Sequence, residues 1–114
     1  MLEGQIVASF GRRYLVELPD SSTLDCVTRG KRGLLACGDR VTVARSAVDR
    51  GVIEAVGART TLLYRSDRAR QKLVAANVTQ IIIVVATEPS FNDELLARCL
   101  LAAHDQNLDT LIVL

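Results

Sequence analysis

Short runs of alternating apolar and polar residues, separated by turn-forming residues, fill the first half of the chain. Residues 4–10 (GQIVASF) and 13–18 (RYLVEL) flank Gly11-Arg12, which predicts a β-hairpin with a tight turn. Residues 19–22 (PDSS) form a second cluster of turn residues. Three further runs are predicted strands: 23–27 (TLDCV), 40–44 (RVTVA) and 50–56 (RGVIEAV). This pattern predicts an all-β fold for the first half of the chain.

The number and spacing of these strands favour a closed barrel. A long connection, residues 28–39, separates the third strand from the fourth, which is typical of a small Greek-key barrel of the OB type. Closing the sheet into a barrel also hides the strand edges that an open sheet would expose. An SH3-like barrel is the structural alternative, and strand spacing alone does not exclude it. We therefore predict an all-β OB-type barrel domain over residues 1–57.

The last third of the chain has a different pattern. Residues 81–86 (IIIVVA) are a continuous apolar run rich in β-branched residues, as expected for a strand buried on both faces of a parallel sheet. Ser90 and Asp93 have capping-box spacing, and the helix that they open is predicted to run to about Gln106. Residues 110–114 (TLIVL) are a second buried strand, which completes a right-handed βαβ unit. One such unit cannot bury both faces of its own strands, so we expect residues 80–114 to be the truncated start of an α/β domain.

Charge is divided unevenly between these two parts. Residues 1–80 hold 13 of the 14 Lys and Arg residues and 8 of the 13 Asp and Glu residues, whereas 81–114 hold one Arg and five acidic residues. Residues 58–79 contribute much of the positive charge and are predicted to be a basic linker. A basic first part and an acidic second part indicate two units with different roles.

Several function classes are disfavoured by composition. There is no signal peptide, and the longest apolar run is far too short to span a bilayer, so we expect a cytoplasmic protein without membrane contact. Cys26, Cys37 and Cys99 include no CxxC pair, which favours buried thiols over a zinc site. The single histidine, His104, is expected at the surface, and no residue is assigned a catalytic role.

The positive charge predicts contact with RNA phosphates. Lys and Arg neutralise phosphates, and Arg adds planar, bidentate contacts. Glycines in the loop 28–38 would let its backbone approach a phosphate closely. The predicted RNA-binding residues lie in the barrel loops and the linker: Arg12, Arg13, Arg29, Lys31, Arg32, Arg45, Arg50, Arg65, Arg68, Arg70 and Lys72.

Few aromatic side chains are available to stack on bases. Strict alternation places Phe10 in the core with Ile6 and Ala8, whereas Tyr14 is left open between stacking on a base and a purely structural role. The composition therefore favours recognition of RNA shape and backbone over the reading of a base sequence.

The chain has, in order, a barrel, a basic linker, the residues Ala-Asn-Val (76–78) and a βαβ unit. This order resembles that of the ribosome-small-subunit-dependent, circularly permuted GTPases of bacteria. Thr79 stands where the family usually has Asp after Asn-Val. The matching stretches are CGDRVTV (37–43), GVIEAVGARTTLLYR (51–65), AANVTQIIIVVATEP (75–89) and ELLARCLLAAHDQNLDTLIVL (94–114).

This resemblance implies an OB domain followed by a GTPase domain in which Asn-Lys-x-Asp precedes the P-loop, and then a zinc-binding domain. It implies a GTPase that assists late maturation of the 30S subunit through 16S rRNA, with GTP, Mg and Zn as cofactors of the full-length protein. Neither nucleotide motif occurs in these 114 residues, so we expect a fragment that binds no cofactor and that self-associates through exposed α/β edges. The alternatives are an OB or SH3-like protein-interaction module and a free-standing RNA-binding protein without enzymatic activity.

Overall fold

A computed structural model describes residues 1–30, 35–67, 70–86 and 93–113. Contacts divide the chain into two compact units, Met1–Asn77 and Val78–Leu114. No helix among the described residues has the length and apolar character needed to cross a bilayer.

Five strands of the first unit form a closed barrel in the order β1-β2-β3-β5-β4, which confirms the predicted OB-type topology. The strands are β1 (Leu2–Phe10), β2 (Arg13–Glu17), β3 (Thr23–Thr28), β4 (Arg40–Ala47) and β5 (Arg50–Val56). Strand β1 pairs with both β2 and β4, since Gln5 lies opposite Glu17 on β2 and opposite Arg40 on β4. The parallel pairing of β3 with β5 completes the sheet.

Alternate residues of each strand point inward and form the barrel core. The core is apolar, and its most deeply buried aliphatic side chains come from all five strands: Ile6, Val16, Leu24, Val43 and Ile53. Cys26 belongs to the same core, and burial raises the pKa of its thiol. The alternation that predicts the strands therefore also explains why the sheet closes around these side chains.

A β-bulge in β1 changes which aromatic residue is buried. The register shifts between Ile6, which is paired with Val16, and Ala8, which is paired with Leu15. One extra residue in a strand moves the following side chains to the opposite face. The expectation that Phe10 lies in the core is wrong, because its side chain is 68% exposed. Tyr14 is only 7% exposed and packs in the core, which excludes it as an outward-facing stacking residue.

Residues within the predicted linker form a β-hairpin. Strands β6 (Leu62–Asp67) and β7 (Arg70–Ala76) pair antiparallel, with a register shift between Leu63 and Tyr64. The apolar residues Leu62, Leu63 and Leu73 are interspersed with charged ones, and each is partly buried. Because the sequence interpretation rested on the density of charge in this stretch, it missed the strand pattern.

The second unit is the predicted βαβ unit. Strand β8 (Gln80–Val84) pairs in parallel with β9 (Asp109–Val113), and helix α1 (Asp93–Asp105) lies between them in the chain. Asn107, two residues after the helix, adopts a left-handed conformation with φ of 54°, which is a common way for a helix to end. The proposed cap, Ser90, lies outside the described residues. Ile82 and Val84 are 57% and 75% exposed, so β8 is not the doubly buried strand that its composition predicts.

Candidate nucleic-acid interface

The turn between β1 and β2 presents an aromatic ring beside arginines. Gly11 has φ of 67°, in the left-handed region that glycine adopts readily, and so allows a tight turn. Phe10 lies directly opposite Arg13, and Arg12 at the turn is exposed. An exposed ring next to guanidinium groups can stack on a base while the arginines contact phosphates. Sequence reasoning missed Phe10 because the bulge that turns it outward leaves no mark in the apolar pattern.

The predicted cations Arg13 and Arg50 flank a carboxylate on the outer surface of β2, β3 and β5. Arg13 donates from both Nε and Nη2 to the carboxylate of Asp25, with 3.1 Å between Nε and Oδ1. This contact raises the pKa of Arg13 and lowers the pKa of Asp25. The positive charge of Arg50 lowers the pKa of Asp25 further. Two cations on one carboxylate leave net positive charge on this surface. We call Phe10, Arg12, Arg13, Arg29 and Arg50 the arginine face.

Arg29 is held at the same surface by a different carboxylate. Its Nη2 lies 2.6 Å from Oε1 of Glu54 on β5, while its own side chain remains mostly exposed. A phosphate can approach the guanidinium from its exposed side, whereas the side chain of Glu54 is only 17% exposed. Until a phosphate binds, Glu54 offsets the charge of Arg29.

Arg45 lies near the turn between β4 and β5. Its Nη1 donates to the carbonyl oxygen of Val48 at 2.6 Å, and its side chain is exposed. This bond orders the guanidinium without neutralising its charge, and that charge adds to the bonds from Ser22 in lowering the pKa of Asp20. Arg45 therefore offers its charge to an anion with one carboxylate in its vicinity.

The hairpin carries a second cationic surface. Arg65 and Lys72 lie directly opposite one another across β6 and β7, and both are exposed. Among the ion pairs of the described residues, none includes either side chain. Like charges directly opposite on paired strands destabilise a sheet. A polyanion bound between these two side chains would relieve that repulsion, so we call Arg65 and Lys72 the hairpin cations.

Three predicted RNA-binding residues cannot be placed on these surfaces. Lys31, Arg32 and Arg68 lie outside the described residues. The backbone of Arg70 pairs with that of Asp67 at the end of the hairpin.

An open groove of about 450 Å³ on another side of the barrel is unsuited to phosphates. It lies along β1, β2 and β4, where its lining includes Glu3 and Glu17 against the single cation Arg40. This charge balance disfavours RNA in the groove and leaves the arginine face as the better candidate. Within the described part of the chain, no three His, Cys, Asp or Glu side chains are grouped as metal ligands would be.

Comparison with known proteins identifies relatives of the chain. It is 58% identical over 99% of its length to the small ribosomal subunit biogenesis GTPase RsgA of Nitrosospira multiformis. It is 47% identical over 98% of its length to the protein of the same name from Burkholderia pseudomallei. The chain spans 36% of the length of each of these relatives.

Solved structures show the same fold. YloQ, described as a circularly permuted GTPase, matches 98% of the chain with a TM-score of 0.69 and 24% identity, and the match covers 39% of that protein. YjeQ from Thermotoga maritima matches 97% of the chain with a TM-score of 0.69 and 26% identity, and the match covers 40% of that protein. A family model described as RsgA GTPase matches residues 56–114, which is more than half of the chain. The chain therefore belongs to the RsgA GTPase family.

Proposed function

We propose that this chain is the RNA-binding and ribosome-binding part of a cytoplasmic GTPase that assists late maturation of the 30S subunit. The arginine face is the observation that carries the proposal, because it combines exposed guanidinium groups with an outward aromatic ring. The names of the relatives support the small ribosomal subunit as partner. We propose 16S rRNA as the component contacted, because cationic surfaces on which the described residues expose only two aromatic rings, Phe10 and Tyr64, suit phosphate backbone better than a base sequence.

The proposed division of labour follows the predicted domains. Residues 1–57 bind RNA, 58–79 contribute further cations, and 80–114 begin the permuted GTPase domain. Neither Asn-Lys-x-Asp nor GxxxxGK[ST] occurs in the chain, so no residue of it matches the motifs that hold GTP and Mg. The described residues also include no group of His, Cys, Asp and Glu side chains that fits Zn. GTP hydrolysis is accordingly proposed for a full-length family member, and no residue of this chain is assigned to it.

Removing both hairpin cations is expected to weaken binding to purified 30S subunits and to flatten its salt dependence. Each lost phosphate contact reduces the log–log slope of affinity against salt by about 0.7–0.9, so R65A/K72A should lower it by roughly 1.4–1.8. Fluorescence anisotropy of labelled protein, titrated with subunits between about 50 and 200 mM salt, measures both quantities.

Arg98→Ala is the matched control for this measurement. Arg98 is an exposed arginine of the acidic second unit, paired with Glu94 at 2.6 Å, and its removal should leave the slope unchanged. Equal slopes for wild type and R65A/K72A would remove the hairpin from the proposed interface. Binding that survives complete nuclease digestion of the subunit's RNA would instead favour the protein-interaction alternative.

The exposed strands of the second unit are expected to cause self-association. A sheet of only two strands leaves an open edge on each strand, and β9 adds exposed Leu111 and Ile112 to the exposed side chains of β8. Sedimentation velocity of the chain between about 5 and 200 μM should show a rising average mass, which Ile82→Lys should suppress because association would bury an ammonium group between the copies. A monomer throughout this range would contradict the expectation.

A further inference from the structure

A buried carboxylate joins the barrel to the hairpin. Asp39 has no exposed side-chain area and lies in the loop that precedes β4. Arg59, in the segment between β5 and β6, donates from Nε to Oδ1 and from Nη2 to Oδ2, each at 2.8 Å. The backbone N–H of Ala36 donates to Oδ2 at 2.8 Å. Burial alone raises the pKa of Asp39, but the bonds from Arg59 and Ala36 and the charge of Arg59 lower it below its ordinary value.

Asn77 makes a second set of bonds at the end of the hairpin. Its Oδ1 accepts from the backbone N–H and the hydroxyl of Thr60, at 2.9 and 3.2 Å. Its Nδ2 donates to the carbonyl oxygen of Gly38 at 2.8 Å. The backbone of Asn77 has φ of 56°, so the residue both turns the chain and links two loops.

Backbone contacts connect these groups to the barrel wall and to β7. The N–H of Gly38 donates to the carbonyl of Ile6 at 2.7 Å, and the N–H of Ala76 donates to the carbonyl of Cys37 at 2.8 Å. The loop that holds Asp39 is therefore bonded to β1 on one side and to the end of β7 on the other. We call Asp39, Arg59 and Asn77, with the loop around Gly38, the Asp39 junction.

We infer that Asp39, Arg59 and Asn77 are positioning residues that hold the hairpin cations in a fixed place relative to the arginine face, so that both surfaces bind one RNA together. This inference rests on the proposed function. A two-stranded hairpin is marginally stable alone. The ion pair at its base, in which the buried Asp39 accepts two hydrogen bonds from the partly buried Arg59, supplies the attachment that it lacks. A fixed second surface adds affinity because its effective concentration is high, and that gain falls when the attachment loosens.

The test removes the hydrogen bonds of the junction by substitution and then replaces them with a disulfide. Asp39→Asn removes the buried charge, and Asn77→Gly removes the amide bonds while keeping a residue that accepts the left-handed backbone. For reclosure, Cys37 in the loop before β4 and Ala75 on β7 form an isolated parallel β-bridge. Bridged backbones typically lie about 4.8 Å apart, which is within the Cα separation that a disulfide spans. Ala75→Cys therefore offers a covalent replacement for the junction, in a Cys99→Ser background that leaves Cys37 as the partly exposed native thiol.

We expect the D39N/N77G chain to bind 30S subunits roughly tenfold more weakly, with a salt slope approaching that of R65A/K72A. Oxidised D39N/N77G/A75C should recover wild-type affinity and slope to within about twofold, and reduction should abolish the recovery. A loss caused by unfolding alone would appear in circular dichroism and would leave no state for the disulfide to rescue.

Several results would overturn the inference. One is unchanged affinity in D39N/N77G while proteolysis shows that the hairpin has been released. A second is an oxidised D39N/N77G/A75C variant that folds fully but does not recover its affinity for the subunit. A third is loss of the barrel fold in N77G alone, which would make the junction purely structural. Failure of the proposed function has a different signature, since the wild-type chain itself would not bind the subunit.

Discussion

Gly38→Ala is expected to destabilise the first unit by at least about 3 kcal/mol, whereas Gly11→Ala should cost about 1 kcal/mol. Both glycines have positive φ, 95° and 67°, so both substitutions incur a left-handed backbone penalty. They differ in the space around the added methyl group. A Cβ at Gly38 would lie 1.9 Å from the carbonyl oxygen of Ala76, whereas a Cβ at Gly11 would meet nothing within 4 Å. The contacted atom is backbone, so a side-chain rotation cannot relieve the clash.

Urea unfolding followed by circular dichroism measures this difference. The result expected for Gly38→Ala is a much lower midpoint, and that for Gly11→Ala is a small shift. Similar losses for the two variants would mean that the loop and β7 do not approach as closely as the structure has them, and the Asp39 junction would lose its geometric basis.

Tyr14→Ala is expected to cost roughly 3–5 kcal/mol, as for other large aromatic side chains in cores, whereas Phe10→Ala should stay within about 0.5 kcal/mol. The bulge in β1 is the reason, because it turns Phe10 to the surface while Tyr14 on β2 packs with Ile6 and Val16. Uninterrupted alternation would predict a core position for Phe10.

The same unfolding measurement, made on both variants, checks this prediction. A large loss in Phe10→Ala and a small one in Tyr14→Ala would show that β1 has no bulge. Phe10→Ala should also weaken RNA binding without lowering stability, because stacking on a base contributes about 1–3 kcal/mol at exposed aromatic positions.

The local part of the fold follows from the sequence. Residues 23–26 alternate between polar and apolar side chains, and 50–56 are rich in β-branched residues. The structure forms β3 and β5 there. The bulge was not predictable in the same way, because Val7 and Ala8 are both apolar and leave no sign of where the register shifts. The hairpin was missed for a related reason, since the charge density around Arg65 obscured a strand pattern.

The sequence predicts that the site is rich in arginine, but it does not predict which carboxylate each arginine pairs with. Arginine content at the barrel loops indicates phosphate binding, yet the partners of these arginines are distant in the sequence. Arg29 pairs with Glu54, 25 residues away, and Arg59 pairs with Asp39, 20 residues away. Such contacts depend on which strands become neighbours in the barrel, which a single sequence does not state. Charge counts therefore indicate that a surface is basic, and the fold decides which cations are free to bind.

The most direct test of this account is the affinity of the wild-type chain for purified 30S subunits as a function of salt. If the arginine face and the hairpin cations bind ribosomal RNA together, binding should be tight near 50 mM salt. It should then weaken by at least tenfold by 200 mM, with a linear log–log dependence. No binding at 50 mM salt, or an affinity that does not change with salt, would contradict it.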